Sequence, residues 1–537
     1  MSQLKLTHMY KPYILYGLLF ALLVATGCKK NTLDDQIQDT TSVPGGNTID
    51  PTVPYSVTKL SKFKINGITC AYDTILNIYY YPISAVTGAS LSKFTVNYDT
   101  SDGEVMTFGG TKIANGGVIN ITYKMNDNIE IKVVNKFNIN ATYNLVISGL
   151  PILVLSAPNT VGTDFVNASI DLIDPDYQLH AGKQEVSSNI QIKLRGATAR
   201  YFLKKSYAVE MVDQSGEEND VSLLGLRNDD DWILDAMFID QARMRNRVCT
   251  DIWNSFNNVP YIANEPTALN GTRGYMVEVF INHRYWGVYC LTEKLDRKQL
   301  QIKKQYGDMY KSDESTTETN FVNVSPFSNT LDTWGGWELT YPDLDDTPAP
   351  NWGYLYNAGN FIGNATDDDF ISGIKDKVDL NNMADYLIFL NIIQGTDNDA
   401  KNLYFSFYDY RTAGAFFYSP WDLDGTMGRS WDGSIVSNKI IGTGTNYLLY
   451  RLLKLNPNNF RDIVKARWNA LKTNQLSKST MAARIEGYRK LMVNSNAFAR
   501  EQYIATNITQ DLNTETTYMN TWYSAQFDLV DNYINSL

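Results

Sequence analysis

The chain is short of the residues that carry the commonest metal and nucleophile chemistries. Only three histidines, His8, His180 and His283, occur among 537 residues. A histidine-rich zinc site is thereby excluded, and a Ser-His-Asp hydrolase would have to use His180 or His283, neither of which has a nucleophile elbow beside it. There are four cysteines and no Cys-x-x-Cys pair, which removes zinc knuckles and dithiol redox motifs. Cys28 falls in the leader, and the odd remainder, Cys70, Cys249 and Cys290, sits in apolar surroundings and reads as three buried thiols. Lysine and arginine never form a block of five or six, and the formal net charge is −11, which argues against nucleic acid as a partner.

What is present is apolar and aromatic. With 44% hydrophobic residues and 35 tyrosines the chain can bury more than one core and is not a disordered protein. Lys5 and Lys11 precede, as a basic segment, a run from Tyr13 to Ala25 that is too short and too early for a stable span, so residues 1–28 are expected to be a signal peptide. Its end, Val24-Ala25-Thr26-Gly27-Cys28, resembles a bacterial lipoprotein cleavage site, although Ala25 stands where Leu is commoner. Cys28 would then be lipidated and would anchor the protein in the cell envelope, at an outer membrane or the cell surface. Residues 29–54, with Pro44, Gly45, Gly46, Pro51 and Pro54 and no apolar period, read as a flexible tether.

From residue 55 to 151 apolar and polar residues alternate between turn signals such as Asp102-Gly103 and Asn115-Gly116-Gly117. About six or seven short strands over roughly 95 residues predict an immunoglobulin-like β-sandwich, a spacer or binding module whose tyrosines offer carbohydrate contact. Beyond Ile152 the pattern changes. Ile190–Leu194 and Leu203–Met211 read as strands flanking a small-residue turn, with Lys193 and Arg195 on one face by the two-residue period. Such a pair suits a phosphate grip and equally suits a solvated strand edge.

The densest chemistry lies between Gly395 and Gly428. Asp397, Asp399 and Asn402 precede one aromatic-rich run, Leu403–Tyr408, and Asp422 and Asp424 follow another, Ala415–Tyr418, with a glycine-containing turn between. A buried hairpin would bring both acidic groups to one end, where carboxylates and an amide oxygen suit Mg²⁺ with its waters and phosphate oxygens. The order parallels that of protein kinases, with a catalytic Asp, an Asn five residues on, a hairpin and a second metal-binding Asp. A helix after Asp379, carrying Leu380, Met383, Leu387 and Leu390 at helical spacing, would deliver Asp397 to a fixed place. Residues 312–364 form a long irregular insertion whose Trp334, Trp337 and Tyr341 could meet a peptide or a sugar or pack against the body. Past Gly428, amphipathic stripes predict helices at Tyr447–Leu455, Phe460–Lys472, Thr480–Val493 and Leu512–Asn535.

Five blocks, RGATARYFLKKSYAVEM, LLGLRNDDDWILDAMFIDQARMRNRV, VEVFINHRYWGVYCLTEKLDR, TDNDAKNLYF and PWDLDGTMG, resemble in order the CotH (spore-coat-protein-H) kinase family. The resemblance implies an α+β, atypical protein-kinase-like two-lobe domain over residues 152–537, transferring phosphate from ATP with Mg²⁺ to Ser/Thr hydroxyls of a protein substrate. It makes Asp397 the catalytic residue, with Asp399 a competitor. Asn402 and Asp422 become metal ligands, with Asp424 equally tenable by spacing. Lys204 or Lys205, with Arg195 in the RG turn, would reach the nucleotide, and Glu293 would meet it, cap a helix or form a surface pair. In ordinary kinases a helix carries the Glu that orders the N-lobe lysine. The corresponding stretch Asp231–Trp253 has none and offers Asp240, Arg243 and Asn246, and a Gly-rich loop and the His-Arg before Asp397 are also missing. The alternative is a non-catalytic surface lipoprotein on the same frame with a structural Ca²⁺ site.

Overall fold

The structure, a computed structural model, describes residues 60–537 apart from 101–104, 136–137, 159, 257–258 and 343–350. The leader, Cys28 and the tether lie outside the described residues. The fold is mixed α+β, with ten α-helices and several sheets among the described residues.

Two sheets open the described chain. A four-stranded sheet built on Leu60–Ile65 and Phe94–Thr100 shares one core with a six-stranded sheet built on Ile78–Pro82, Asn128–Val134 and Asn140–Ser148. Alternation explains them: Ile129, Ile131 and Val133 are buried while Asn128 and Glu130 face water. The tyrosines expected to offer a sugar surface largely fill this core instead, with Tyr79, Tyr80, Tyr81, Tyr98 and Tyr143 all buried. This unit is seated on the next one, since the ring of Tyr80 stacks on Tyr285 at 5.6 Å and Asp73 Oδ2 accepts the Tyr285 N–H at 3.0 Å.

The second unit is a closed barrel whose strands run Ile152–Ser156, Val166–Ile173, Glu185–Leu194, Tyr207–Val212, Asp231–Asp235, Arg284–Glu293 and Gly274–Ile281 around the ring. Parallel pairing of the first with the last closes it. Leu153, Ile190, Val209, Val277 and Tyr289 fill it, so it is a packed core and not a channel. The hairpin expected at Asn282-His283-Arg284 forms, with Asn282 and His283 both at positive φ, 51° and 59°, as a two-residue turn matched to strand twist requires.

The stretch Asp231–Trp253 departs from its sequence reading. Trp232, Ile233 and Leu234 are drawn into the barrel between two neighbours, and only Arg245–Ser255 is helical. Asp240 sets that start, accepting the backbone N–H groups of Ala242, Met244 and Arg245. Its side chain pairs with Arg245, and Arg243 pairs with Glu501.

A five-stranded sheet, Thr333–Trp334, Trp337–Tyr341, Asp308–Ser312, Leu403–Phe407 and Phe417–Pro420 in that order, forms the far wall. Two segments of the insertion, Thr333–Trp334 and Trp337–Tyr341, are therefore built into this sheet rather than irregular. Trp334, Trp337 and Tyr341 are buried in it, which leaves these rings no face for a peptide or a sugar. Asp379 caps helix Leu380–Ile393 through Asn382 N at 2.7 Å, and nearly every residue of that helix is buried. Helices Tyr447–Leu455, Phe460–Leu471, Lys478–Asn494, Ala497–Ile504 and Leu512–Asn535 complete the body. Cys70, Cys249 and Cys290 are free and buried, and burial pushes the Cys249 and Cys290 thiols up to about 12.

Candidate functional site

The buried helix Leu380–Ile393 ends at Gln394 in the left-handed conformation, and the chain then loops to the strand that begins at Leu403. Asn398 ties this loop to the far end of the hairpin, donating through Nδ2 to Trp421 O at 2.8 Å and to Asn402 O at 3.3 Å. Tyr386 Oη holds Asn398 O at 2.6 Å from the helix side. Leu403 pairs with Pro420, so the residues just outside the ladder, Asn402 and Asp422, leave the sheet at the same end. Both have positive φ, 52° and 55°, which Asn and Asp tolerate better than most residues and which turns the chain out of the strand.

The result is a cleft of about 1100 Å³ between the barrel and the five-stranded sheet. Asp397, Asn402, Asp422 and Asp424 all line it, as the hairpin reading required. Asp397 Oδ2 accepts Asn402 Nδ2 at 2.9 Å and its Oδ1 lies 3.1 Å from Lys401 Nζ. Asp399, the competing acid, does not line the cleft; its Oδ2 accepts Thr445 N at 2.6 Å and Thr445 Oγ1 at 3.0 Å. Withdrawal from bulk water raises the Asp422 carboxyl above its ordinary range even though solvent still reaches it, with Asp235 and Asp397 pushing the same way and Arg195 opposing. Asp424 is raised further, first by withdrawal from water and then by Asp422, Asp235 and Asp240.

The opposite wall supplies cations. Lys193 and Arg195 both line the cleft, and among the described residues neither side chain has an ion pair or hydrogen bond. Each rests on an aromatic face, Lys193 at 3.9 Å from the Phe165 ring centre and Arg195 at 5.5 Å from that of Trp421. Lys204 also lines the cleft but is held differently. It is 4% exposed, and its ammonium is held by Val288 O and by Glu501 Oε1 and Oε2 at 2.9 and 3.0 Å, so all three of its protons have acceptors. Burial pulls it down to about 8, with Glu501 opposing. Lys205 donates to Arg200 O at 2.7 Å and is not among the cleft-lining residues. Nor is Glu293, which is fully buried, accepts Arg227 N at 3.1 Å and Arg273 N at 2.8 Å, and pairs with the Arg273 guanidinium. Three of the residues expected to reach a nucleotide are thus committed to protein partners, and the helix after Glu293 is capped by Asp296.

Sequence reading does not single out Asp235, Lys311 or Glu501. Asp235 ends the Trp-Ile-Leu strand and lines the cleft, a place that an acid closing an apolar run would have suggested. Lys311 enters from Asp308–Ser312 and pairs with Asp313 at 2.6 Å. Glu501 lies 297 residues from Lys204 and carries no local signal.

The acids of the cleft do not close into a cage of their own. Among the described residues, the one group of three carboxylates whose oxygens lie within 4.8 Å of each other is Asp220, Asp229 and Asp230, and Lys298 bridges it at 2.7 Å from two of them. With Asn402 and Asp422 as open donors, the cleft fits an ion that keeps water and takes phosphate oxygens.

The model of the CotH kinase protein family matches residues 192–528, more than half of the chain and nearly all of the cleft's walls. The protein belongs to the CotH kinase family. No curated protein matches it.

Proposed function

We propose that the protein is an atypical protein kinase that transfers the terminal phosphate of ATP to Ser/Thr hydroxyls of a protein substrate, using Mg²⁺. The barrel serves as the N-terminal lobe of a kinase-like domain, the five-stranded sheet and helices serve as its C-terminal lobe, and the leading two-sheet unit acts as an immunoglobulin-like spacer. Lipidated Cys28 would anchor it in the bacterial cell envelope.

The observation that carries this reading is the polarity of one cleft, with Lys193 and Arg195 free of ion pairs on one wall and Asp422 and Asp424 free of ion pairs at its end, among the described residues. Lys193 and Arg195 take the phosphate chain, the planar guanidinium offering paired donors. Asn402, Asp422 and Asp424 would hold Mg²⁺, which neutralises charge on the phosphate oxygens. The Asn402 amide, donating to Asp397, turns its own oxygen outward as a ligand. Asp397 orients the acceptor hydroxyl and takes its proton as the new O–P bond forms and the bond to the leaving diphosphate breaks. Lys401 and Asn402 hold that carboxylate in place.

Calorimetric titration of the full chain with ATP, with and without Mg²⁺, tests the reading, followed by transfer to protein with Asp397→Ala as control. Mg²⁺-dependent ATP binding, with transfer abolished by the substitution, is expected. No nucleotide binding, with Ca²⁺ raising the melting temperature, would refute it and return the non-catalytic Ca²⁺ reading.

A further inference from the structure

Asp422 and Asp424 stand on either side of Leu423, and the backbone N–H of Leu423 is not bonded within its own loop. It donates to Asn246 Oδ1 at 3.2 Å. Asn246 sits on the first turn of helix Arg245–Ser255, and its Nδ2 donates to Asp235 Oδ2 at 2.8 Å. Asp235 ends a barrel strand, and its other oxygen accepts Met237 N at 3.0 Å. One amide side chain therefore spans the two walls of the cleft, and its orientation is dictated at both ends. Its oxygen must face the Leu423 N–H and its amide protons must face a carboxylate, so the side chain has no second way to fit. Asp235 and Asn246 themselves line the cleft.

We infer that Asn246, oriented by Asp235, is the positioning residue that fixes the Asp422-Leu423-Asp424 segment for divalent-cation binding and makes that binding depend on the barrel. The inference rests on the metal-binding role proposed for these two acids. Its physical basis is that Asp422 leaves the sheet in a left-handed conformation next to two other acids, an arrangement that mutual repulsion would open. A single neutral hydrogen bond to the peptide between the carboxylates holds their spacing without adding a cation that would compete with the metal. Residues that orient metal ligands in this way typically change affinity by about 10–100-fold when removed.

The test is Mg²⁺ titration of the full chain by calorimetry in the presence of a non-hydrolysable ATP analogue. Asn246→Leu keeps the branched shape and removes both hydrogen bonds; Mg²⁺ affinity is expected to fall at least about tenfold, with the far-ultraviolet circular dichroism of the metal-free chain unchanged. The rate at saturating Mg²⁺ should recover toward that of the unaltered chain, which a fold defect would not allow. Asp235→Asn, at a partly exposed position, is the second variant. Its amide places a donor against either Met237 N–H or Asn246, and the same direction of change is expected. Unchanged Mg²⁺ affinity in both variants, or a loss in Asn246→Leu that excess Mg²⁺ does not repair, would overturn the inference. An unaltered chain that binds no Mg²⁺ with the analogue would instead overturn the proposed function beneath it.

Discussion

Glu501→Gln is the sharpest perturbation that the structure offers. Glu501 is fully buried on helix Ala497–Ile504, and its carboxylate accepts Lys204 Nζ twice, Arg243 Nε at 2.8 Å and the Val288 backbone N–H at 2.8 Å. Glutamine keeps the shape, removes the charge and turns one acceptor into a donor. Lys204 and Arg243 are then two buried cations with no carboxylate between them. Breaking a buried pair from one side costs about 3–5 kcal/mol, mostly the penalty of the charge left behind. Lys204→Met should cost less, about 1 kcal/mol or below, because Glu501 keeps Arg243 and Val288 N and a desolvated ammonium is removed. The double variant should recover part of the loss, with a coupling of about 1–3 kcal/mol. Chemical denaturation followed by tryptophan fluorescence measures all three. The same proteins separate a strut from a nucleotide ligand: Lys204→Met should keep ATP affinity within about threefold, or ~0.65 kcal/mol. Glu501→Gln within about 1 kcal/mol of the unaltered chain, or Lys204→Met abolishing ATP binding, would refute the reasoning.

Arg195→Ala, which removes a cation with no ion pair of its own, should weaken ATP binding at least about tenfold, or ~1.4 kcal/mol, with little change in melting temperature; calorimetry reads both. Asp397→Asn should abolish transfer and spare the fold, whereas Asp399→Ala should keep transfer and lose about 1–3 kcal/mol of stability with its bonds to Thr445. Burial lifts Asp308 to about 6, with Tyr410 and Tyr310 opposing. Because its folded pKa lies above the unfolded value, the folded chain holds the extra proton and stability from this group falls as pH rises through about 6. Asp308→Asn should therefore stabilise the chain at pH 7 by about 1–3 kcal/mol, and the gain should vanish by about pH 4, as urea titrations at the two pH values would show.

The features legible in sequence are those written in short-range pattern. Alternation marked the strands, apolar stripes marked most of the later helices, and the order of Asp397, Asn402, Asp422 and Asp424 about an aromatic hairpin placed the acids at one end of a cleft. Ala497–Ile504 escaped because eight residues give too short a stripe, and its Glu501 escaped with it. Asp231–Asp235 was misread as helix because a short apolar run looks alike in both structures, and only the flanking barrel strands decide between them.

By itself the sequence determined the chain's family and which acids gather at its centre, since both rest on residue identity at fixed spacing. Which of two neighbouring acids or lysines faces the cleft was decided only by the fold. Lys204 and Lys205, or Asp397 and Asp399, differ little in local pattern, and their roles were assigned by partners far along the chain, Glu501 and Thr445 among them. Such contacts obey no sequence period, because they follow from how the barrel, the sheet and the terminal helices pack against one another.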